Sequence, residues 1–314
     1  MHAAFSDIFP NVKFDVFEDP RSRDTPVINI YERERKYDLQ ESAAGYFEVL
    51  YILSQLRSLD TDDILLIDEP ALHLHPLKIR YFGRKMATFA RRQVILMTHS
   101  PYFVNTSLFN TNQCLIKIEK DPRGLSRILN KAKRSDFSLN IKPYHFKAEI
   151  FFSQCNVFVE GPSDAYTLTA ISDALGYVFE EYNVLVVDCG GKDIVEKYIG
   201  LIESYELPHV AMVDHDYLYE NRRKTKDFTV LQGRLEDELL QLDSESVTDI
   251  SEAKCKNKKS KSIDAIDAYE LVINKMRTDR KKVKNTGFGT VFNNALVKVG
   301  ISNPEEIWNR QQIT

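Results

Sequence analysis

Nowhere in the 314-residue chain is there a window of about 18 uncharged apolar residues, which excludes a helical membrane span. The opening MHAAFSDIFPNVKF lacks the basic and apolar regions of a secretory signal, so a cytoplasmic location with no membrane partner is expected. Cysteine is scarce. Cys114, Cys155, Cys189 and Cys255 fall at wide, irregular spacings without a C-x-x-C, which argues against a disulfide framework or a structural zinc site and for reduced, buried fillers. Positive charge is not in excess either: a net charge of −4 excludes a protein that grips nucleic acid over its whole surface. Internal repeats and long low-complexity tracts are absent. The most consequential absence is a G-x-x-x-x-G-K-[ST] loop, whose backbone N–H groups and lysine hold a triphosphate.

What is present has the length and apolar content of a soluble protein with two domains. The stretches VKFDVF and VINIYERE alternate like edge strands around the turn-like EDPRSRDTP. LQESAAGYFEVLYILSQLRSL reads as one helix, with Phe47, Leu50, Tyr51 and Ser54 on the face to be buried. Buried strands at Ile64 to Ile67 and Val94 to Met97 flank a helix from Pro76 to Arg92, a strand and helix alternation that predicts a parallel sheet covered by helices. After a polar connector, a domain boundary is expected near residue 147, giving domains 1–147 and 148–314. The second begins with a βαβαβ run: strands 156–159, 184–187 and 210–213, helices 164–175 and 193–205. Basic islands at 131–134, 254–261 and 277–284 read individually as solvated faces, and together as a DNA-facing surface in the C-terminal third.

Two groups of acidic residues carry the chemistry. In ILLIDEPALHLHP, residues 64–76, Asp68 ends an apolar strand where it can order Mg²⁺, and Glu69 can polarise an attacking water; His99, in ILMTHSP, ends the next apolar strand within reach of a γ-phosphate. In VFVEGPSD, residues 157–164, Glu160 follows a strand and Asp164 begins a helix, either as a ligand or as a helix cap. In VAMVDHD, residues 210–216, Asp214 and Asp216 follow another strand. Open α/β sheets keep their ligand sites at the strands' carboxyl ends. Four carboxylates converging there would suppress one another's ionisation unless cations were bound, and hard oxygen donors favour Mg²⁺ or Mn²⁺ over zinc. Two such ions about 3.5–4 Å apart can activate water and stabilise a leaving oxygen.

The first group resembles the ABC-type ATPases of the SMC, RecF and OLD (overcoming lysogenisation defect) group. DEPALHLHP resembles their Walker B and D-loop, THSP their switch histidine, and Ser42-Ala43-Ala44-Gly45 a worn signature motif. That resemblance implies remnant nucleotide-site roles for Asp68, Glu69, His99, Ser42 and Gly45. Without a P-loop, and with GGK at 190–192 no substitute for one, the chain alone is expected to bind ATP poorly. A truncated gene, a start codon called too late, and a P-loop lobe supplied by a separate chain are the open explanations.

The second group resembles the Toprim domain of topoisomerases, primases and OLD-family nucleases. The expected fold is α/β: a partial ABC-type ATPase lobe followed by a Toprim domain. The resemblance implies Glu160, Asp164, Asp214 and Asp216 as metal ligands or acid–base groups, with Glu236 or Asp237 of GRLEDEL adding another. It also implies a C-terminal catalytic lysine, for which Lys284 is preferred over Lys281 and Lys282. The implied activity is a Mg²⁺- or Mn²⁺-dependent DNA endonuclease, dimeric through its ATPase lobe. A topoisomerase- or primase-like enzyme and a non-catalytic regulatory subunit or fragment are the alternatives. His73 and His75 read as packing or interface residues, Phe288, Phe292 and Trp308 as core, and Cys189 as a small filler.

Overall fold

The computed structural model describes residues 1–18, 26–58, 60, 63–70, 73–89, 93–104, 114–121, 123–129, 146–177, 179–220, 228–231, 234–244, 247 and 264–309. The chain divides into two compact units, Met1–Ser107 and Leu108–Thr314.

In the first unit, α1 (His2–Ile8) leads into an antiparallel sheet of β1 (Val12–Glu18), β2 (Pro26–Glu32) and β3 (Arg35–Asp38), ordered β1-β2-β3. The period-2 alternation of VKFDVF puts Val12 and Phe14 inward. Helix α2 (Ala44–Ser58) follows, then β4 (Ile64–Asp68), α3 (Pro76–Phe89) and β5 (Gln93–Met97), with β4 and β5 paired in parallel. Phe5, Ile8, Phe14, Ile30, Val49 and Phe82 lie in their shared core.

Three expectations for this unit change. Helix α2 starts at Ala44 rather than Leu39, because Leu39–Glu41 forms a separate 3-10 turn whose Gln40 N–H donates to the Asp38 carboxylate at 3.0 Å. The helix buries Val49, Leu50, Leu53 and Leu56, while Phe47 and Tyr51 stack on each other at 6.3 Å and are 55% and 57% exposed. Of the expected face Leu50 does enter the core, while Phe47 and Tyr51 give way to Val49, Leu53 and Leu56 on the neighbouring stripe. Finally, β4 and β5 are buried on one face alone: Leu65, Ile67, Val94 and Leu96 pack on the core, while Ile64, Leu66, Ile95 and Met97 face outward. Helix α3 ends at Phe89, and residues 90–92 of the expected helix lie outside the described residues.

The second unit starts with a hairpin, β6 (Ile118–Lys120) and β7 (Ser126–Ile128), closed by a turn in which the Asp121 carboxylate accepts from the N–H groups of Arg123 and Leu125. Lys117 Nζ donates to the carbonyl of Ser153 at 3.3 Å, tying the hairpin into this unit. That tie accompanies a division at Ser107, ahead of the position near 147 where the sequence pattern weakens. Then come β8 (Cys155–Val159), α4 (Pro162–Leu175), β9 (Val184–Asp188), α5 (Lys192–Ser204), β10 (His209–Val213) and β11 (Phe228–Val230). The four strands form one parallel sheet ordered β11-β10-β8-β9. Every residue of β8 and β10 is buried, as a parallel sheet covered on both faces requires.

Among the described residues, four further helices follow: α6 (Leu235–Leu242), α7 (Ala265–Thr278), the short α8 (Arg280–Lys284) and α9 (Gly287–Lys298), and then the turn-length α10 (Glu305–Trp308). Phe288, Phe292 and Trp308 are core residues, and Trp308 Nε1 donates to Asn293 Oδ1 at 2.7 Å. The carboxylate of Glu238, 3% exposed, accepts from the Gly287 N–H at 2.9 Å and so joins α6 to the start of α9. The basic islands at 131–134 and 254–261 lie outside the described residues. Of the third, Lys282 Nζ donates to the carbonyl of Leu242 and Lys284 pairs with Glu305, so part of that run serves internal contacts. Among the described residues, no helix is long and apolar enough to cross a membrane.

A Cβ on Gly289 would stand 2.4 Å from the Lys284 carbonyl oxygen and 2.7 Å from that of Val283, whereas one on Gly200 of α5 would meet nothing within 4 Å. Urea unfolding is therefore expected to give a loss of about 1–3 kcal/mol for Gly289→Ala. Gly200→Ala is expected to be neutral or stabilising by up to about 1 kcal/mol, since it gains helix propensity without a clash.

Candidate active site

The sheet of the second unit delivers its acids to one edge. Glu160 directly follows β8, Asp214 directly follows β10, and the two strands are neighbours. The Asp214 N–H donates to Glu160 Oε1 at 2.9 Å, bridging the two strand ends. Asp164 sits in the first turn of α4, and its Oδ2 accepts from the Gly161 N–H at 2.9 Å. It is therefore the third residue of the helix rather than its cap, and it serves the helix start while facing the acids. Asp216 opens the 3-10 turn His215–Glu220 and accepts from Lys192 Nζ at 3.1 Å.

The electrostatics make these residues one cluster. Burial pushes Asp164 up to about 7, and the charges of Asp214, Glu160 and Glu236 add to the rise against the opposing Gly161 hydrogen bond. Burial likewise pushes Asp214 up to about 7, with Glu160, Glu236 and Asp216 adding to it and a hydrogen bond from the Leu235 N–H opposing it. Of the two acids left open at the start of α6, Glu236 is thus the one that acts on the cluster. Asp237 turns back to accept from the Arg234 N–H at 2.8 Å.

The convergence is looser than four carboxylates around shared ions. Among the described residues no three His, Cys, Asp or Glu side chains stand in an arrangement that holds a metal ion. Protein donors account for this: the Asp214 N–H takes Glu160, the Gly161 N–H takes Asp164, and Lys192 takes Asp216. The chemistry of the donors still fits a divalent cation. They are all carboxylate oxygens, and two of them carry strongly raised proton affinities that a cation would relieve.

Lys284 is ion-paired with Glu305, and the lysine that meets the acidic edge is Lys192. The signal for it was present as GGK between a strand and a helix, at the same carboxyl edge as the acids. Cys189 is buried, and burial first, then the Asp188 charge, push its thiol up, which suits a filler rather than a nucleophile.

In the first unit, Asp68 ends β4, and the Glu69 N–H continues the strand pairing to the Met97 carbonyl at 2.8 Å. Glu69 adopts a left-handed φ of 44°, and its carboxylate accepts from the His99 N–H at 2.9 Å and from the Thr98 hydroxyl at 3.2 Å. Its Oε1 also lies 3.6 Å from Nε2 of His99, whose side chain is 96% exposed. Glu69 and His99 are thus brought together at the carboxyl edge of the β4–β5 pair. Ser42 and Gly45 sit at the start of α2 instead. Ser42 Oγ donates to the Leu39 carbonyl at 2.7 Å, and a Cβ on Gly45 would come within 2.7 Å of Leu74 Cδ2 and 3.0 Å of the His73 carbonyl oxygen. The glycine permits close approach to the His73–Leu74 segment. Glu48 reinforces that contact through the His73 N–H at 3.4 Å, and His75 Nδ1 accepts from the Leu77 N–H at 3.3 Å, so both histidines serve local structure.

A parallel α/β sheet with a glutamate after one strand, a D-x-D after its neighbour and an aspartate in the intervening helix is a Toprim-type acidic site. Residues 151–216 match the family model described as "Overcoming lysogenization defect protein-like, TOPRIM domain", and residues 6–105 match "AAA domain, putative AbiEii toxin, Type IV TA system". The chain thus carries a segment that matches an AAA domain model, followed by a segment that matches an OLD-like Toprim domain model. It is 29% identical over 161 residues to an OLD nuclease of Thermus scotoductus, a match covering 48% of this chain and 30% of that protein. It is 22% identical over 233 residues to the uncharacterized protein MJ1542 of Methanocaldococcus jannaschii, covering 69% of this chain and 27% of that one. The matched regions thus span less than a third of either relative's length. The solved C-terminal region of the Xanthomonas campestris pv. campestris OLD protein is 17% identical, with 48% of this chain and 95% of that one covered, at a TM-score of 0.30.

Raised carboxylate values make the folded, ion-free protein hold protons more tightly than the unfolded chain. The stability contributed by Asp164 and Asp214 is full below the ordinary value of 3.8 and is lost as pH rises through about 7. In chelator-treated protein, denaturant unfolding is expected to show a fall on the order of 2 kcal/mol between pH 5 and 8. Asp164→Asn, which keeps an acceptor for the Gly161 N–H, should remove much of that slope.

Proposed function

We propose that this chain is a metal-dependent DNA endonuclease of the OLD type, cutting or nicking phosphodiester bonds at the Toprim edge. The observation that carries the reading is the gathering of Glu160, Asp164, Asp214, Asp216 and Glu236 at the carboxyl end of one parallel sheet, where burial first and the neighbouring acids next raise Asp164 and Asp214. The similarity to an OLD nuclease supports it. Glu160, Asp164, Asp214, Asp216 and Glu236 would hold Mg²⁺ or Mn²⁺ there, and one or two such ions supply an activated water and charge stabilisation at the phosphorus. Glu160 and Asp214, at adjacent strand ends, orient each other through the Asp214 N–H and so fix the spacing across which a phosphodiester must lie. Asp164 is anchored at the start of α4 by the Gly161 N–H, and its charge is coupled to those of Asp214, Glu160 and Glu236.

The AAA-type segment is read as a dimerisation and control lobe. Glu69 and His99 retain a coupled arrangement suited to sensing a nucleotide, but the sequence carries no phosphate-cradling loop. A P-loop-bearing lobe covering the outward Ile64, Leu66, Ile95 and Met97 would complete both the nucleotide site and the hydrophobic cover that a parallel pair lacks. Homodimerisation through this lobe and a cytoplasmic setting belong to the same proposal.

Incubated with supercoiled plasmid and Mn²⁺, the protein is expected to produce nicked or linear DNA. Asp214→Ala should reduce the rate at least about 100-fold with an unchanged circular dichroism spectrum, since the edge would lose a carboxylate that would hold the cation. Cleavage that persists in the variant rejects the assigned site. Wild-type protein that leaves DNA intact, while binding a P-loop-bearing partner, favours the regulatory subunit instead. A fluorescent ATP analogue is expected to bind the chain alone no tighter than about millimolar, for want of the N–H cradle.

A further inference from the structure

Lys192 begins α5 directly after Gly190 and Gly191, whose φ values of 73° and 134° lie in the left-handed region. This turn leaves β9, and β9 and β10 lie on opposite sides of β8 in the sheet. A lysine from the β9 end therefore reaches across the end of β8, about two strand spacings or ~10 Å, to meet a carboxylate that follows β10. That carboxylate is Asp216, bound at 3.1 Å by an ammonium on a side chain 25% exposed, while the aspartate is 55% exposed. The ammonium therefore lies against a carboxylate of the same acidic edge, since the Asp216 charge also acts on Asp214.

A half-exposed ion pair of this kind adds little to stability. Lysine, unlike arginine, offers a compact charge on a flexible stem and no fixed fork to lock a carboxylate in place. Resting on the metal-dependent reading above, we propose that Lys192 is a built-in counter-ion: it occupies Asp216 in the ion-free protein, competes with the divalent cation for that carboxylate, and on release pairs with a non-bridging oxygen of the bound phosphodiester. It is thus a positioning residue that keeps the acidic edge assembled before metal and substrate arrive. The sequence motif places it for this, because a residue that opens a helix after two left-handed glycines has its Cα held at the strand edge, at the base of a long and flexible side chain.

The test is Mn²⁺ binding to the full chain, read by electron paramagnetic resonance of the free ion, for wild type, Lys192→Met and Lys192→Arg. Removing one positive charge beside a divalent cation predicts Mn²⁺ affinity about 3- to 10-fold tighter in Lys192→Met, with an unchanged unfolding midpoint. Lys192→Arg, which keeps the charge, should stay within about 2-fold of wild type. The salt dependence of DNA binding, measured with Ca²⁺, should lose about one unit of slope in Lys192→Met alone. Equal or weaker Mn²⁺ binding in Lys192→Met, or equal tightening in both variants, overturns the counter-ion role and leaves the nuclease reading standing. A wild-type protein that binds no Mn²⁺ overturns both.

Discussion

The burial of carboxylates close together at one sheet edge is the constraint around which the second unit is organised. Asp164 and Asp214 are held in an environment that disfavours their charge, by burial first and by their acidic neighbours next. Such an arrangement costs stability, and it persists because the surrounding structure determines it from several directions. Parallel β8 and β10 fix Glu160 and Asp214 side by side, the Gly161 turn fixes Asp164, and α6 supplies Glu236. The buried sheet beneath contributes the apolar burial against which that cost is set.

The first unit presents the complementary situation. Its antiparallel sheet, α2 and α3 enclose a sound core, yet the β4–β5 pair has one bare apolar face. A two-stranded parallel sheet is marginal by itself, and its outward Leu66 and Met97 are residues that a covered sheet would bury. The same pair carries Asp68, Glu69 and His99 at its end, so the incomplete cover and the incomplete nucleotide chemistry belong to one edge of the fold.

Much of this was legible in the chain. The βαβαβ run of the second unit, its parallel order and the placement of acids after strands follow from short apolar runs bounded by Glu160, Asp188 and Asp214, with helical periodicity between them. Two kinds of feature were not. Periodicity identified α2 but not which of its two apolar stripes faces inward, since Phe47 and Tyr51 compete with Val49 and Leu53 and only the arrangement of neighbouring elements decides. Likewise an apolar strand such as Ile64 to Ile67 reads as fully buried whether or not a second layer covers it. The partners of the lysines were also beyond reach: Lys192 meets Asp216 and Lys284 meets Glu305, and although GGK placed Lys192 at the acidic edge, sequence distance carries no trace of which carboxylate each one pairs with.

Helix α6 couples the acidic edge to the helices that follow it. In one turn it presents Glu236 to the acidic edge and Glu238 to the amide of Gly287, where α9 begins against Leu231. A rigid segment gripped at both points cannot rotate about its axis to suit one without disturbing the other. The helices beyond residue 264 therefore bear on the acidic edge from behind, and any event that loosens them, such as a partner wedged beneath α9, would detune the acids without touching a single one of them.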